Sequence, residues 1–405
     1  MRILFISWWW PYPASNGAKI RIYNLLRQLA SRHEVTLLSF AAPDEAAPDH
    51  VEHLRAFCRH VESVPKPVYQ PNSARATAGY LSRWPRSLID TYSPEMARRV
   101  RALVKAGAVD MVIGSQLQSM RYLELARGLP AVLEEIEVTG YHDRVRAAGG
   151  SAARARAQLT VNKLDSALRR LLARGCAVTV ASDDERALVQ RAAPPGSRVE
   201  VIPNGVDTLR LRPLSDVQPQ PFTLVYPGAV TFSANLDAVT YFIHDVLPLV
   251  RRQFPDARLT VTGGTGDVDV RALAAQPGVT FTGYLPDVAA AVRAAWAVVV
   301  PLRQGGGTRL KVLEAMALGT PVISTRKGAE GLAVRHGANI LLADTPDEMA
   351  DAIATLTRDP ALRAGLAANA RRLVEETYDW AVIGRRLLAL VDDVAAARAR
   401  QIADN

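Results

Sequence analysis

Gly305, Gly306 and Gly307 stand together, and Thr308, Arg309, Leu310, Lys311, Val312, Leu313 and Glu314 follow directly. Residue types in this order could hold a diphosphate. Successive glycines let backbone N–H groups approach a ligand closely, and a helix that starts after them turns its positive end toward an anion. Arg309 and Lys311 then fall in the first helical turn, where a cation opposes the helix dipole. A bound polyanion would absorb both effects. Glu314 is placed roughly 9 Å from the helix start at about 1.5 Å per residue, close to the reach from a diphosphate to a ribose. A nucleoside-diphosphate site is the reading these residues favour. The alternative is an ordinary glycine loop, with Lys311 and Glu314 as an i,i+3 surface pair.

Such a turn needs a strand before it and another after it, and the chain supplies both. Short apolar runs near residues 2–7, 34–39, 111–114, 131–133, 177–182 and 199–203 alternate with helical stretches in the first half. The second half repeats the theme at 223–227, 258–262, 279–282, 297–301, 321–325 and 339–342, with helices expected near 235–252, 268–275, 288–295, 309–318 and 346–357. Strands alternating with helices predict parallel, doubly wound α/β sheets. A helix near 17–31 places Ile20, Leu25, Leu26 and Leu29 on its buried stripe. Ile202-Pro203-Asn204-Gly205-Val206-Asp207 stops a strand and turns the chain, and the proline-rich stretch 213–221 continues as a linker. The expected domains are therefore 1–205 and 206–378, with an apolar-periodic helix in 379–405.

Other constellations are weaker. Gly17 sits where the first strand turns into a helix, the place where a doubly wound sheet binds ligands; an N-cap by Ser15 or Asn16 explains the same residues without a ligand. Trp8, Trp9 and Trp10 offer an apolar surface suited to sugars or lipids, with core burial expected for at least one. Glu134, Glu135 and Glu137 cluster at a strand end, where neighbouring carboxylates would raise one another's pKa and suit acid/base or acceptor-binding work. An exposed acidic loop is the plainer reading. Thr262-Gly263-Gly264-Thr265-Gly266 lacks the lysine of a phosphate loop and is expected to be a turn.

Composition bounds the rest. With 405 residues, 49% of them apolar, the chain can fill two cores of ordinary domain size. Cys58 and Cys176 are the only cysteines, which excludes a disulfide scaffold or a thiolate zinc site, and the seven histidines show no paired metal spacing. No metal or other cofactor is expected. No apolar run reaches the roughly 18 residues of a membrane span. Residues 1–10 lack a basic leader region and a cleavage site, so they read as a buried first strand and a cytoplasmic location is expected. The net charge is +9, and all of the excess falls in residues 1–205, with 28 Lys/Arg against 19 Asp/Glu. Arg144 to Arg174 holds eight basic residues and one acid, Asp165. That surface suits peripheral contact with an anionic membrane at its inner face, or is a solvated Arg-rich helix. A nucleic-acid partner would rest on net charge alone, and none is expected.

The string from Pro301 to Thr325, with the phrase from Val201 to Asp207, resembles the signature of glycosyltransferase family 4, the retaining group 1 type with the GT-B fold. The resemblance implies two Rossmann-like domains facing a cleft, with the last helix packing back on the first domain. It implies a nucleotide-diphosphate sugar as donor and a carbohydrate or lipid-linked acceptor, with no metal. Donor binding then falls to Gly17, Gly228, Tyr284, Leu285, Gly305, Gly306, Gly307, Thr308, Arg309, Lys311, Leu313 and Glu314. Arg309 and Lys311 would stabilise the departing diphosphate, and Glu137 would serve the acceptor side. The sequence departs from the family in three places. Gly306 stands where relatives keep the first of two glutamates separated by seven residues, the second being matched by Glu314. Ile136 and Glu137 stand for a His-Asn pair, and no basic residue follows Gly228. A nucleotide-sugar epimerase of the same fold, and a nucleotide-sugar-binding protein with impaired catalysis, remain the alternatives.

Overall fold

The computed structural model describes residues 1–307 and 309–403. The chain divides into two compact units, Met1–Pro203 with the chain from Ile383 onward, and Asn204–Val382.

The first unit is built on seven parallel strands, β1 (Arg2–Ser7), β2 (Glu34–Ala41), β3 (His60–Pro65), β4 (Met111–Ser115), β5 (Ala131–Glu134), β6 (Ala177–Val180) and β7 (Val199–Val201). Their order in the sheet is β3-β2-β1-β4-β5-β6-β7. Ile3 pairs with Val35 on one side and Met111 on the other, so β1 is central and is buried from Ile3 to Ser7. Strand order reverses between β1 and β4, which opens the crevice at the carboxyl ends where such sheets take ligands. The helix Gly17–Ala30 starts at that crevice, and the Asn16 side chain caps it by accepting the Lys19 N–H at 3.1 Å. Ile22, Leu25, Leu26 and Leu29 form its buried face. Ile20 is only partly covered, and Arg21 turns inward in the space expected for an aliphatic side chain.

β3 lay outside the sequence-based expectations. Its six residues, HVESVP, bury only Val61 and Val64, too few for an apolar run to stand out. The helix Trp380–Ala403 buries Ile383, Leu387, Val391 and Val394. Gly384 lets it press against Gln28 of the Gly17–Ala30 helix, since a Cβ there would overlap the Gln28 side chain.

The second unit carries β8 (Gln220–Pro227), β9 (Arg258–Thr262), β10 (Val279–Gly283), β11 (Ala295–Val300), β12 (Val322–Ser324) and β13 (Leu341–Leu342), in the order β10-β9-β8-β11-β12-β13. All pairs are parallel, and the order reverses between β8 and β11. Val298, Val299 and Val300 are buried on both faces, as a central parallel strand requires. The helix expected at 235–252 is broken into Ser233–Tyr241, a π turn at Phe242–Val246 and Leu247–Gln253. Pro248 has no N–H to donate to the preceding turn, so the hydrogen-bond ladder shifts register just before it. A further helix, Pro360–Thr377, was not anticipated.

Candidate functional site

Two loops of the second unit meet because their strands are neighbours at the reversal point. β8 ends at Pro227 and turns through Gly228 at φ +152°. β11 ends at Val300, and the chain returns as the helix Leu310–Ala317. Lys311, in the first turn of that helix, donates to the Tyr226 hydroxyl at 2.8 Å and to Asn235 Oδ1 at 3.0 Å. The Tyr226 hydroxyl donates to the same Asn235 oxygen at 2.7 Å, and Asn235 Nδ2 holds the Ala229 carbonyl at 2.8 Å. A Cβ on Gly228 would lie 2.8 Å from Lys311 Nζ. Glycine at 228 is therefore what admits the ammonium to the turn. Burial, together with the nearby Arg309 charge, pushes the Lys311 pKa down to about 7. The same surroundings raise the Glu314 pKa, with Arg210 and Lys311 partly opposing the effect of burial.

Arg309 immediately precedes the helix and is nearly covered. Its guanidinium donates to the carbonyls of Gly305 at 2.9 Å and Gly306 at 3.1 Å, and pairs with Glu330 at 3.3 Å. Lys327 shares that carboxylate at 2.6 Å. The guanidinium thus holds the glycine turn in shape. Gly305 and Gly307 have φ of +99° and +82°, a conformation that favours glycine. Thr308 lies outside the described residues. Glu314 comes one turn into the helix, about 6 Å along the axis from Leu310, nearer the helix start than the roughly 9 Å expected. Leu313, expected at the donor, is fully buried in the core, so its side chain packs rather than facing a ligand.

The neighbouring loops end on the same edge. Gly263, after β9, has φ +105°, and a Cβ there would lie 2.6 Å from the Ala229 nitrogen. Its N–H donates to the Gly283 carbonyl at 2.9 Å, which sets the loop carrying Tyr284 and Leu285 beside it. Tyr284 is 80% exposed, an uncommon setting for a large aromatic ring. Tyr226, Asn235 and Gly263 were not among the site residues expected from sequence. Only Gly263 carried a local signal, and it was read as a turn.

In the first unit, the carboxyl ends of β1, β4 and β5 hold a buried ion pair. Arg21 Nε donates to Glu134 Oε1 at 2.6 Å, both side chains being fully buried, and Arg21 Nη2 donates to the Ile202 carbonyl at 2.8 Å. Ser115 Oγ donates to the second Glu134 oxygen at 2.9 Å. Burial opposes the Arg21 charge, but Glu134 and Glu135 outweigh it and the pKa is raised. Glu134 is therefore a structural anion and not part of an exposed acidic loop. Gln116 and Glu135, each directly after its strand, hold φ of +67° and +49°, and strain of this kind concentrates at ligand sites. Glu137 is exposed beyond buried Ile136. Trp10 is fully buried, whereas Trp8 and Trp9 are partly exposed, with the Lys66 ammonium 3.2 Å from a Trp9 ring centroid. Gly17 is the first residue of the capped helix. Among the described residues no cluster of His, Cys, Asp or Glu could hold a metal ion, and no helix is long and apolar enough to cross a membrane.

The chain is similar to known proteins in sequence and in fold. A family model described as Glycosyltransferase Family 4 matches residues 15–210, and one described as Glycosyl transferases group 1 matches residues 221–359. The chain is 29% identical over 211 residues to the phosphatidyl-myo-inositol mannosyltransferase of Mycolicibacterium smegmatis, covering 50% of this chain and 54% of that one. It is 29% identical over 258 residues to a GDP-mannose-dependent alpha-(1-6)-phosphatidylinositol monomannoside mannosyltransferase of Mycobacterium tuberculosis, covering 58% and 66%. The chain thus spans about half to two thirds of the length of these curated relatives. The structure of sucrose-phosphate synthase from Thermosynechococcus elongatus superposes with a TM-score of 0.70 over 98% of this chain and 100% of that one, at 18% identity, which shows a shared fold. With both family models matched in succession and the GT-B architecture in place, the chain belongs to the GT-B glycosyltransferases of the group 1, family 4 type.

Proposed function

We propose that the chain is a retaining hexosyltransferase that takes a nucleoside-diphosphate sugar and transfers the sugar to a carbohydrate or lipid-linked acceptor. The observation that carries this reading is the placement of Lys311 over the Gly228 turn, held by Tyr226 and Asn235 beside the Gly305–Gly307 turn. Lys311, Arg309 and the glycine N–H groups would stabilise charge on the departing diphosphate. Glu314 would bind the ribose hydroxyls. In a front-face departure the bond from the anomeric carbon to the diphosphate breaks, a leaving phosphate oxygen takes the acceptor's hydroxyl proton, and the acceptor oxygen bonds on the same face. No protein nucleophile is needed. Gly17, Tyr284 and Leu285 are assigned to the donor and Glu137 to the acceptor by resemblance to the family. The name of the Mycobacterium tuberculosis relative makes GDP-mannose the first donor to try.

A thermal-shift panel of GDP-mannose with UDP-, ADP- and dTDP-sugars tests donor class. One donor should raise the melting temperature, and NMR of the product should show the donor's anomeric configuration retained. A flat panel would overturn the reading. Gly306, at the position of the family's first glutamate, sustains a second reading, a sugar-nucleotide binder with impaired catalysis. It predicts a melting shift without transfer to any acceptor, and an epimerase would interconvert sugars with no acceptor present.

Peripheral contact with an anionic membrane rests on Arg154 and Arg156, both exposed on the helix Ser151–Leu172. Arg169 instead donates to the Ala192 carbonyl at 3.1 Å, and Arg170 lies against Trp84. Replacing Arg154 and Arg156 with Gln should lower binding to phosphatidylserine vesicles, and equal binding would return them to an ordinary solvated face.

A further inference from the structure

Glu330 faces the glycine turn from the next strand over, and no step proposed above uses it. It follows β12 through the short turn Lys327–Ala329. Gly328 lets that turn press onto the end of β11, since a Cβ there would meet the Val300 carbonyl oxygen at 2.5 Å. The Gly328 N–H donates to Thr325 Oγ1 at 2.9 Å, and the Arg326 N–H donates to Asp344 Oδ1 at 2.8 Å. The backbone that leads to Glu330 is therefore fixed at several points.

The carboxylate itself is held through one oxygen. Oε2 accepts from Lys327 Nζ at 2.6 Å and from Arg309 Nη2 at 3.3 Å. The same Arg309 nitrogen donates to the Gly305 carbonyl at 2.9 Å, so a single donor joins the carboxylate to the glycine turn. Oε1 accepts nothing among the described residues, and the side chain is 41% exposed. A carboxylate anchored by one oxygen presents the other in a set direction, with its lone pairs open to a donor. Arg309 and Lys327 outnumber this one acid, so it does not turn the neighbourhood anionic.

Charge and strand order decide what the open oxygen meets. A diphosphate is repelled by a carboxylate and stays with Lys311, whose ammonium lies over Gly228 at the end of β8. β11 separates β8 from β12, and neighbouring strands lie about 4.8 Å apart. With the nucleoside end toward Tyr284, after β10, the group beyond the diphosphate falls toward β12. In a nucleoside-diphosphate sugar that group is a ring of hydroxyl donors, and Gly306 has no side chain to receive it. We propose that Glu330 reads the donor's sugar, its Oε1 accepting hydrogen bonds from free hydroxyls of a neutral hexose while the diphosphate lies on Lys311 and the glycine turn. This assignment rests on the donor reading given under the proposed function.

Calorimetry on the full chain with GDP-mannose and with GDP tests it, or with the matching pair if the thermal-shift panel selects another base. Glu330 is partly exposed and Arg309 keeps its bonds to Gly305 and Gly306, so Glu330→Ala and Glu330→Gln should both fold. Glu330→Ala should leave GDP affinity within about twofold and weaken GDP-mannose by about tenfold or more, the scale of a hydrogen bond to a charged group. Glu330→Gln keeps an acceptor oxygen without the charge and should lose less. An equal loss for GDP and GDP-mannose would mean that Glu330 acts only through Arg309 on the glycine turn, and would overturn the proposal. Unchanged affinity for both in Glu330→Ala would overturn it too. If the unaltered chain binds neither a nucleoside diphosphate nor its sugar, the donor reading fails and this assignment with it.

Discussion

The Lys311 ammonium lies 2.8 Å from the Tyr226 hydroxyl and 4.1 Å from the centre of its ring, in a pocket that Gly228 keeps open. Its folded-state pKa, lowered by burial and by Arg309, falls from 10.5 to about 7. Between those two values the unfolded chain holds a proton that the folded chain does not, so this group makes stability rise with pH across that window and contributes no slope below it. A bound diphosphate favours the charged form. Donor binding above pH 7 should therefore take up a proton, and donor affinity should fall as pH rises from 7 to 9, by at most about tenfold per unit for one proton. Lys311→Met should bind donor weakly with a flat profile. Titration calorimetry in two buffers of different ionisation enthalpy measures the proton uptake, and equal heats in both would refute it.

Glu314 makes the opposite kind of prediction. Burial raises its pKa, so the folded chain holds a proton more firmly than the unfolded one, and its contribution to stability is lost as pH rises through the folded value. Glu314→Gln removes a poorly solvated charge and should leave the melting temperature at pH 8 equal or higher. The same change deletes an acceptor for ribose hydroxyls, and nucleoside-diphosphate affinity should drop by ten- to a hundredfold, about 1.5–3 kcal/mol. A stability gain with unchanged affinity would make Glu314 a structural residue only.

What the sequence disclosed follows from how local each signal is. β1 and β9 match the expected runs 2–7 and 258–262 because each is a compact apolar stretch between polar neighbours. The Gly305–Glu314 turn-helix was legible for the same reason, since glycines, cations and carboxylate lie in ten consecutive residues. The groups that set the Lys311 chemistry were not legible: Tyr226 is 85 residues away in sequence and Asn235 is 76. Topology brings them together, through the adjacency of β8 and β11. The burial of the Leu313 side chain was not legible either, because a helix that turns one face to a ligand must bury the opposite one and the local string does not say which residues lie on which face. Arg21 was missed because an arginine on an apolar stripe makes sense only once Glu134, 113 residues later, is seen beneath it.

The Arg21–Glu134 pair should behave as a unit. Both side chains are fully buried, and removing one charge leaves the other without compensation. Arg21→Met should cost about 3–5 kcal/mol. Arg21→Met combined with Glu134→Gln should recover much of that loss, because neither fully buried charge remains and Glu135, 3.7 Å from Arg21, is partly exposed to solvent. Urea denaturation of the single and double variants measures the coupling. Additive losses would mean that Ser115 and the Ile202 carbonyl, not the pairing of charges, hold these groups.

Gly263 tests whether the loop after β9 shapes the site or merely turns the chain. Its φ of +105° disfavours any side chain, and a Cβ would meet the Ala229 nitrogen at 2.6 Å and the Gly228 carbonyl carbon at 2.8 Å. Those atoms are backbone and cannot swing aside, so Gly263→Ala must move the Gly228–Ala229 turn on which Lys311 rests. The strain should cost about 1–3 kcal/mol in stability, and donor affinity should fall with it because the turn shifts under the ammonium. Gly264 is the control, since a Cβ there meets nothing within 4 Å. Gly264→Ala should leave donor binding unchanged and stability equal or up to about 1 kcal/mol higher, through the lost freedom of the unfolded chain. If Gly263→Ala lowers stability but spares donor affinity, the turn tolerates displacement and Lys311 is positioned from its own helix alone.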